Sequence, residues 1–191
     1  MSDDDGQDGA NQTDKDRGSA GHGSQGQGGP RHDRGQIIRD WWAARIAPRD
    51  SGAARGLAAR LRRRQGIELL AEPAVQELAQ KLKTRDAARV IGLVRVLAEL
   101  RGEHGGRLAR RLGGQDPVLS RARFQRLMRS DGEVLTTGLI RAIRSLPDPA
   151  CNVTALGRDL WFWDDKTRAA WSFDYFAAPL PETLKTPEDA Q

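Results

Sequence analysis

The stretch 153–176, VTALGRDLWFWDDKTRAAWSFDYF, carries seven of the chain's ten aromatic residues: Trp161, Phe162, Trp163, Trp171, Phe173, Tyr175 and Phe176. Its spacing decides between two folds of the argument. Leu156, Leu160 and Trp163 recur at four and three residues, and Trp171 and Tyr175 at four, which is the repeat of a helix face turned into a core. An exposed cluster of seven rings would promote aggregation. The rings are therefore assigned mainly to packing, with Trp161, Trp163, Trp171 and Phe173 set against Trp41 and Trp42. Asn152 caps the first helix of this stretch, and Asp164 and Asp165 open the second, over 166–177.

Outward from there the helical period continues. Ile37, Ile38, Trp41, Trp42 and Ile46 mark a first amphipathic helix ended by Pro48. Residues 53–65 place Leu57 and Leu61 on one stripe. Pro73 opens a helix with Val75, Leu78, Ala79 and Leu82 inward. Thr84 is read as the N-cap of the next, with Asp86 in its first turn and Val90, Ile91, Val94, Leu97 and Ala98 on its buried face. The Gly-rich segment 102–114 reads as a loop with one helical turn. Ser120 precedes a helix with Phe124, Leu127 and Met128 facing in, and Leu135, Leu139, Ala142 and Leu146 mark another. No stretch alternates with period two. The expectation is an all-α single bundle of about seven or eight helices over 36–177, between unstructured tails at 1–35 and 178–191.

Charge is distributed unevenly. Residues 1–30 hold six Asp against Lys15 and Arg17, so 31–191 carry 29 basic and 20 acidic groups. Of the 31 basic residues 26 are Arg, whose planar fork suits phosphate. Three groups stand out. Arg55, Arg60, Arg62 and Arg63 (with Arg64) lie on one helix. Arg121, Arg123, Arg126 and Arg129 stud a single short helix. Arg141 and Arg144 follow one helix later, with Arg107, Arg110 and Arg111 in the preceding loop. Apart from Arg64 (Glu68), Arg107 (Glu103), Arg129 (Glu133) and Arg144 (Asp148), none has an acid four residues away, so these faces read as largely unpaired and as sites for nucleic-acid backbone.

Other chemistry is missing. His22, His32 and His104 have no partners at metal-ligand spacing, and Cys151 has no disulfide partner and no His base near it in sequence. GHGSQGQGGP lacks the Lys-Ser/Thr of a phosphate loop. Asp164 and Asp165 are read as caps. The expectation is a non-enzyme with no cofactor and no metal. No signal peptide is visible and the most apolar run, VIGLVRVLAEL at 90–100, is short and broken by Arg95, so the default is a soluble cytoplasmic protein with no membrane partner.

The order of features resembles a known family. Trp41-Trp42, SGAARGLAARLRR at 51–63, RARFQRLMRS at 121–130 and the aromatic stretch together are similar to the CasB family, the small subunit of the type I-E CRISPR surveillance complex called Cascade, from about Ile37 to Phe176. The resemblance implies a helical, non-catalytic subunit. It implies as partners the backbone and large subunits, a second copy of itself, the guide RNA, and target DNA held as an R-loop opens. By position, Arg55, Arg60, Arg62 and Arg63 match the family's first basic segment, and Arg121, Arg123 and Arg126 its second. The alternative is a free-standing regulator whose residues 120–146 form a helix-turn-helix around Gly132. A scaffold without nucleic acid is the third reading, its arginines facing acidic proteins.

Overall fold

The computed structural model describes residues 30–48 and 50–185. Among these, nine α-helices run in chain order: α1 (Pro30–Arg45), α2 (Gly52–Arg63), α3 (Pro73–Lys81), α4 (Ala87–Glu99), α5 (Leu108–Leu112), α6 (Arg121–Met128), α7 (Gly132–Arg144), α8 (Val153–Trp161) and α9 (Asp165–Tyr175). Single stretches of 3-10 helix lie at Gly66–Ala71 and Glu182–Leu184. A two-residue parallel bridge pairs Gly102–Glu103 with Ala150–Cys151.

α4 is the central post. Val90, Ile91, Leu93, Val94, Val96, Leu97, Ala98 and Glu99 are all buried, because α2, α3, α7 and α8 pack around it. Around α4 the helix has little polar face left, and Arg95 is its half-buried exception.

α1 lies along α8 over the most extensive pairing in the molecule. Glycine makes this approach possible. A Cβ on Gly157 would fall 2.6 Å from Ile38 Cγ2, and one on Gly35 would fall 2.6 Å from the Thr154 carbonyl oxygen. Trp41 and Trp42 are buried in the same core as the late rings, but their indoles are anchored elsewhere. Trp41 Nε1 donates to Ala74 O at 2.8 Å and Trp42 Nε1 to Leu97 O at 3.2 Å, fastening α1 to α3 and α4.

Local chemistry sets the helix ends. Asn152 accepts from Ala155 N and Asp164 from Thr167 N, as expected. Thr84 is not the cap of α4. Lys83 adopts φ +50°, Thr84 N closes back onto Ala79 O, and Asp86 accepts from Arg89 N instead. Ser120 stands at the N-cap position of α6 without a side-chain cap bond.

Two expectations shift. α1 starts at Pro30, inside the segment read as tail, which suits a residue whose fixed φ fits a first helical turn. Glu182–Leu184 forms a turn beside α9 inside the segment read as unstructured. The single helical turn expected within 102–114 is α5. The remainder of both tails, with GHGSQGQGG and His22, lies outside the described residues, as does the side chain of His32. No helix among the described residues is long and apolar enough to cross a membrane.

Gly157→Ala should lower stability by about 1–3 kcal/mol, since α1 must move or Ile38 leave its rotamer. A denaturant midpoint that falls with an unchanged slope checks this.

Candidate nucleic-acid interface

The late aromatic stretch positions the arginine helix α6. Tyr175 stacks on Phe124 with ring centroids 3.9 Å apart and planes at 9°, and its hydroxyl donates to Leu119 O at 2.5 Å. Trp163 Nε1 donates to Ser130 O at 3.1 Å at the other end of the helix. Trp163 in turn meets Trp171 edge to face at 5.0 Å. Trp171 Nε1 donates to the buried carboxylate of Asp159 at 2.8 Å, which also receives Arg107 and Arg158. With Phe124 and Leu127 pinned inward, Arg121, Arg123, Arg126 and Arg129 are turned to solvent.

Three concavities join the arginine groups. A groove of about 600 Å³ between α6 and α7 is lined by Leu119, Leu127 and Val134, with Arg123, Arg126 and Arg141 at its rim. Arg141 also borders a cleft of about 350 Å³ between α2, α4 and α7, with Arg62, Arg95 and Arg144. Arg62 and Arg144 border a third, of about 610 Å³, with Arg101, Pro147 and Pro149. Shared walls make these one track. Arg62, Arg123, Arg126 and Arg141 line it without a carboxylate partner among the described residues. Arg63 and Arg129 are exposed at the ends of their helices, and Arg121 sits 5.8 Å over the Phe176 ring.

The expectation that these groups are largely unpaired fails in several places. Arg60 donates to both oxygens of buried Glu72, at 2.7 and 3.0 Å, and Arg64 joins it at 2.7 Å. Arg144 donates to both oxygens of buried Glu99, at 2.9 and 2.6 Å. Arg107 is half-buried between Asp159 and Asp174, and Arg111 caps the carbonyls of Ala150 and Asp148. Arg55 donates to Asp50 O and Arg62 to Ala98 O. The partners lie 12 residues from Arg60 and 45 from Arg144, so a search at helical spacing could not find them. Sequence reasoning in turn overlooked Arg95 and Arg101, which line the track; a lone cation in the apolar run of α4 was the available signal.

Neighbouring charges tune these carboxylates. Hydrogen bonds from Arg60 hold the Glu72 carboxyl below its ordinary value, against burial, which pushes it up. Arg95 does the same to Glu133. That pair ties the first turn of α7 to α4, with Arg95 Nη1 2.7 and 2.6 Å from the two oxygens. A helix-turn-helix would present this turn to DNA, whereas here its Glu133 is paired with Arg95 of α4.

The groups weighed for catalysis have structural surroundings. Cys151 is fully buried, and burial pushes its thiol up to about 12, so the reactive thiolate does not form at neutral pH. His104 Nδ1 accepts from Gly106 N. Asp164 caps α9 and Asp165 pairs with Arg168. Among the described residues no three His, Cys, Asp or Glu cluster as a metal site.

The family model described as CRISPR-associated protein Cse2 matches residues 57–176, the span from α2 through the aromatic stretch. The chain belongs to the Cse2 family. Cse2 is CasB, the small, structural subunit of type I-E Cascade. No curated protein and no solved structure matches the chain. The Cse2 match contains α4, α6, α7 and the aromatic clamp, and leaves 1–56 outside.

Glu72→Gln should cost about 1–3 kcal/mol at neutral pH by removing the charge and one of the two oxygens that accept from Arg60 and Arg64. The Glu72 pKa is depressed in the fold. Its contribution is therefore present above the ordinary carboxylate value of about 4.3 and is lost as pH falls through the lower folded value. Thermal melts from pH 7 to pH 3 should show the gap between the wild-type chain and Glu72→Gln closing at the acid end. Trp171→Phe removes one donor from Asp159 and should cost about 1–3 kcal/mol by denaturant titration.

Proposed function

We propose that this Cse2-family chain grips nucleic-acid backbone along the Arg62–Arg141–Arg126–Arg123 track, and so stabilises the R-loop opened by guide RNA in target DNA. The observation that supports this most is the convergence on one track of arginines that have no carboxylate partner among the described residues, from α2 and from the consecutive helices α6 and α7. Unneutralised cations on one surface repel each other, and a row of phosphates relieves that repulsion while releasing counterions.

The chemistry suits a subunit that does not read bases. R-loop formation exchanges one duplex for another of similar stability, so modest backbone contacts can tip it. Such contacts fix position and leave sequence to base pairing. Arg144 has Nε and Nη2 committed to Glu99, so Nη1 is the end it offers to a phosphate. Arg60 and Arg64 serve chiefly to hold the 3-10 segment against α2 through Glu72. Of the other arginines read from the sequence as sites, Arg55, Arg63, Arg121 and Arg129 are assigned to the flanks of this surface, where nucleic acid, the Cascade backbone and large subunits, or a second copy would meet it.

The triple variant Arg123→Glu, Arg126→Glu, Arg141→Glu should weaken single-stranded DNA binding to a similar degree for unrelated sequences. Its log–log salt dependence should flatten by roughly 2, at about 0.7 for each lost phosphate contact. Fluorescence anisotropy across a salt series measures both, with Lys81→Glu on α3 as the control. An unchanged slope would refute the assignment, and altered sequence preference would favour a regulator.

A further inference from the structure

The segment 1–29 lies outside both the described residues and the Cse2 match, yet its chemistry is opposite to that of the track. It holds Asp3, Asp4, Asp5, Asp8, Asp14 and Asp16 against Lys15 and Arg17, and contains no aromatic or branched aliphatic residue. Four of the carboxylates fall within its first eight residues. A segment so composed has nothing to add to a core, and what it carries is negative charge.

The structure fixes where this charge is tethered. The segment joins the domain at Pro30, the first residue of α1. One turn on, Arg34 donates to Leu82 O and lies 5.1 Å over the Trp161 ring. Trp161 lines a cleft of about 470 Å³ that Asp131, Gly132 and Glu133 also line. Glu133 and Val134 then border the groove rimmed by Arg123, Arg126 and Arg141. The attachment point is thus one cleft away from the track. Twenty-nine residues span at most about 100 Å when extended, and a domain of this size is roughly 40 Å across, so length does not limit contact.

We propose that the Asp-rich segment 1–29 docks on the Arg123–Arg126–Arg141 track of its own chain as an intramolecular competitor of nucleic acid. Each carboxylate matches a guanidinium fork. Surface pairs of this kind are individually weak, but a tether supplies an effective concentration on the order of millimolar, which makes several weak pairs count. Sparse or short anions are then excluded. A duplex, with one charge per roughly 1.7 Å of axis, outcompetes the segment. The device would keep stray single strands off the subunit while leaving the densely charged R-loop able to bind. It rests on the nucleic-acid reading above.

The test compares three proteins on one fluorescent twenty-nucleotide oligo-dT: the full chain, a chain starting at Pro30, and the full-length variant Asp3→Asn, Asp4→Asn, Asp5→Asn, Asp8→Asn. At about 50 mM salt both altered proteins should bind about three- to tenfold tighter than the full chain, and the gap should close near 300 mM as screening sets in. Equal affinities at low salt would overturn the proposal. So would tighter binding by the shortened chain alone, since bulk rather than charge would then be responsible. If none of the three binds, the nucleic-acid reading itself falls.

Discussion

The carboxylate of Asp159 sits where three donors converge: Trp171 Nε1 at 2.8 Å, Arg107 Nη2 at 3.4 Å and Arg158 Nη2 at 3.2 Å. A buried carboxylate left alone would cost several kcal/mol, so its partners must be in place together. Arg107 precedes α5, Asp159 belongs to α8, and Trp171 and Asp174 to α9, so satisfying this one charge fixes three helices relative to one another. From that junction Trp171 meets Trp163, which holds Ser130, while Tyr175 holds Leu119 and Phe124. The clamp thereby grips α6 near both ends, and the outward aim of its arginines follows from it.

This arrangement divides these arginines into three working classes. Arg158, buried, and Arg107, half-buried, have Asp partners and hold helices together. Arg60 and Arg144 stand at the boundary, half exposed but committed to buried Glu72 and Glu99. Arg62, Arg123, Arg126 and Arg141 face the connected grooves. The last class leaves positive charge uncompensated by carboxylates among the described residues, and it is gathered on one side by the packing of α7 between α4 and α6. Arg is suited to all of these places, since its fork serves carboxylate and phosphate equally well.

Much of the fold was legible because helical periodicity is local. Asn152 and Asp164 announced their helices, and the three- and four-residue steps of Leu156, Leu160 and Trp163 announced a buried face. Thr84 misled because the wrap of the chain behind Lys83 claims it for the end of α3. The site was less legible. The expectation of unpaired arginines came from i,i+4 spacing, which is blind to Glu99 reaching Arg144 from another helix. Arg95 and Arg101 escaped notice because nothing adjacent in sequence marks them as neighbours of Arg62 and Arg141.

By itself the sequence determined the helical class, the inward turn of Trp161, Trp171 and Tyr175, the Cse2-like order of segments and the surplus of guanidinium groups, all of which depend on residue type and short-range spacing. Only the tertiary structure decided which of those groups are spent inside and which stay open to a partner. Coulombic pairing depends on distances in space, and it is the folding of α4 against α2 and α7, and of α9 against α6, that sets them.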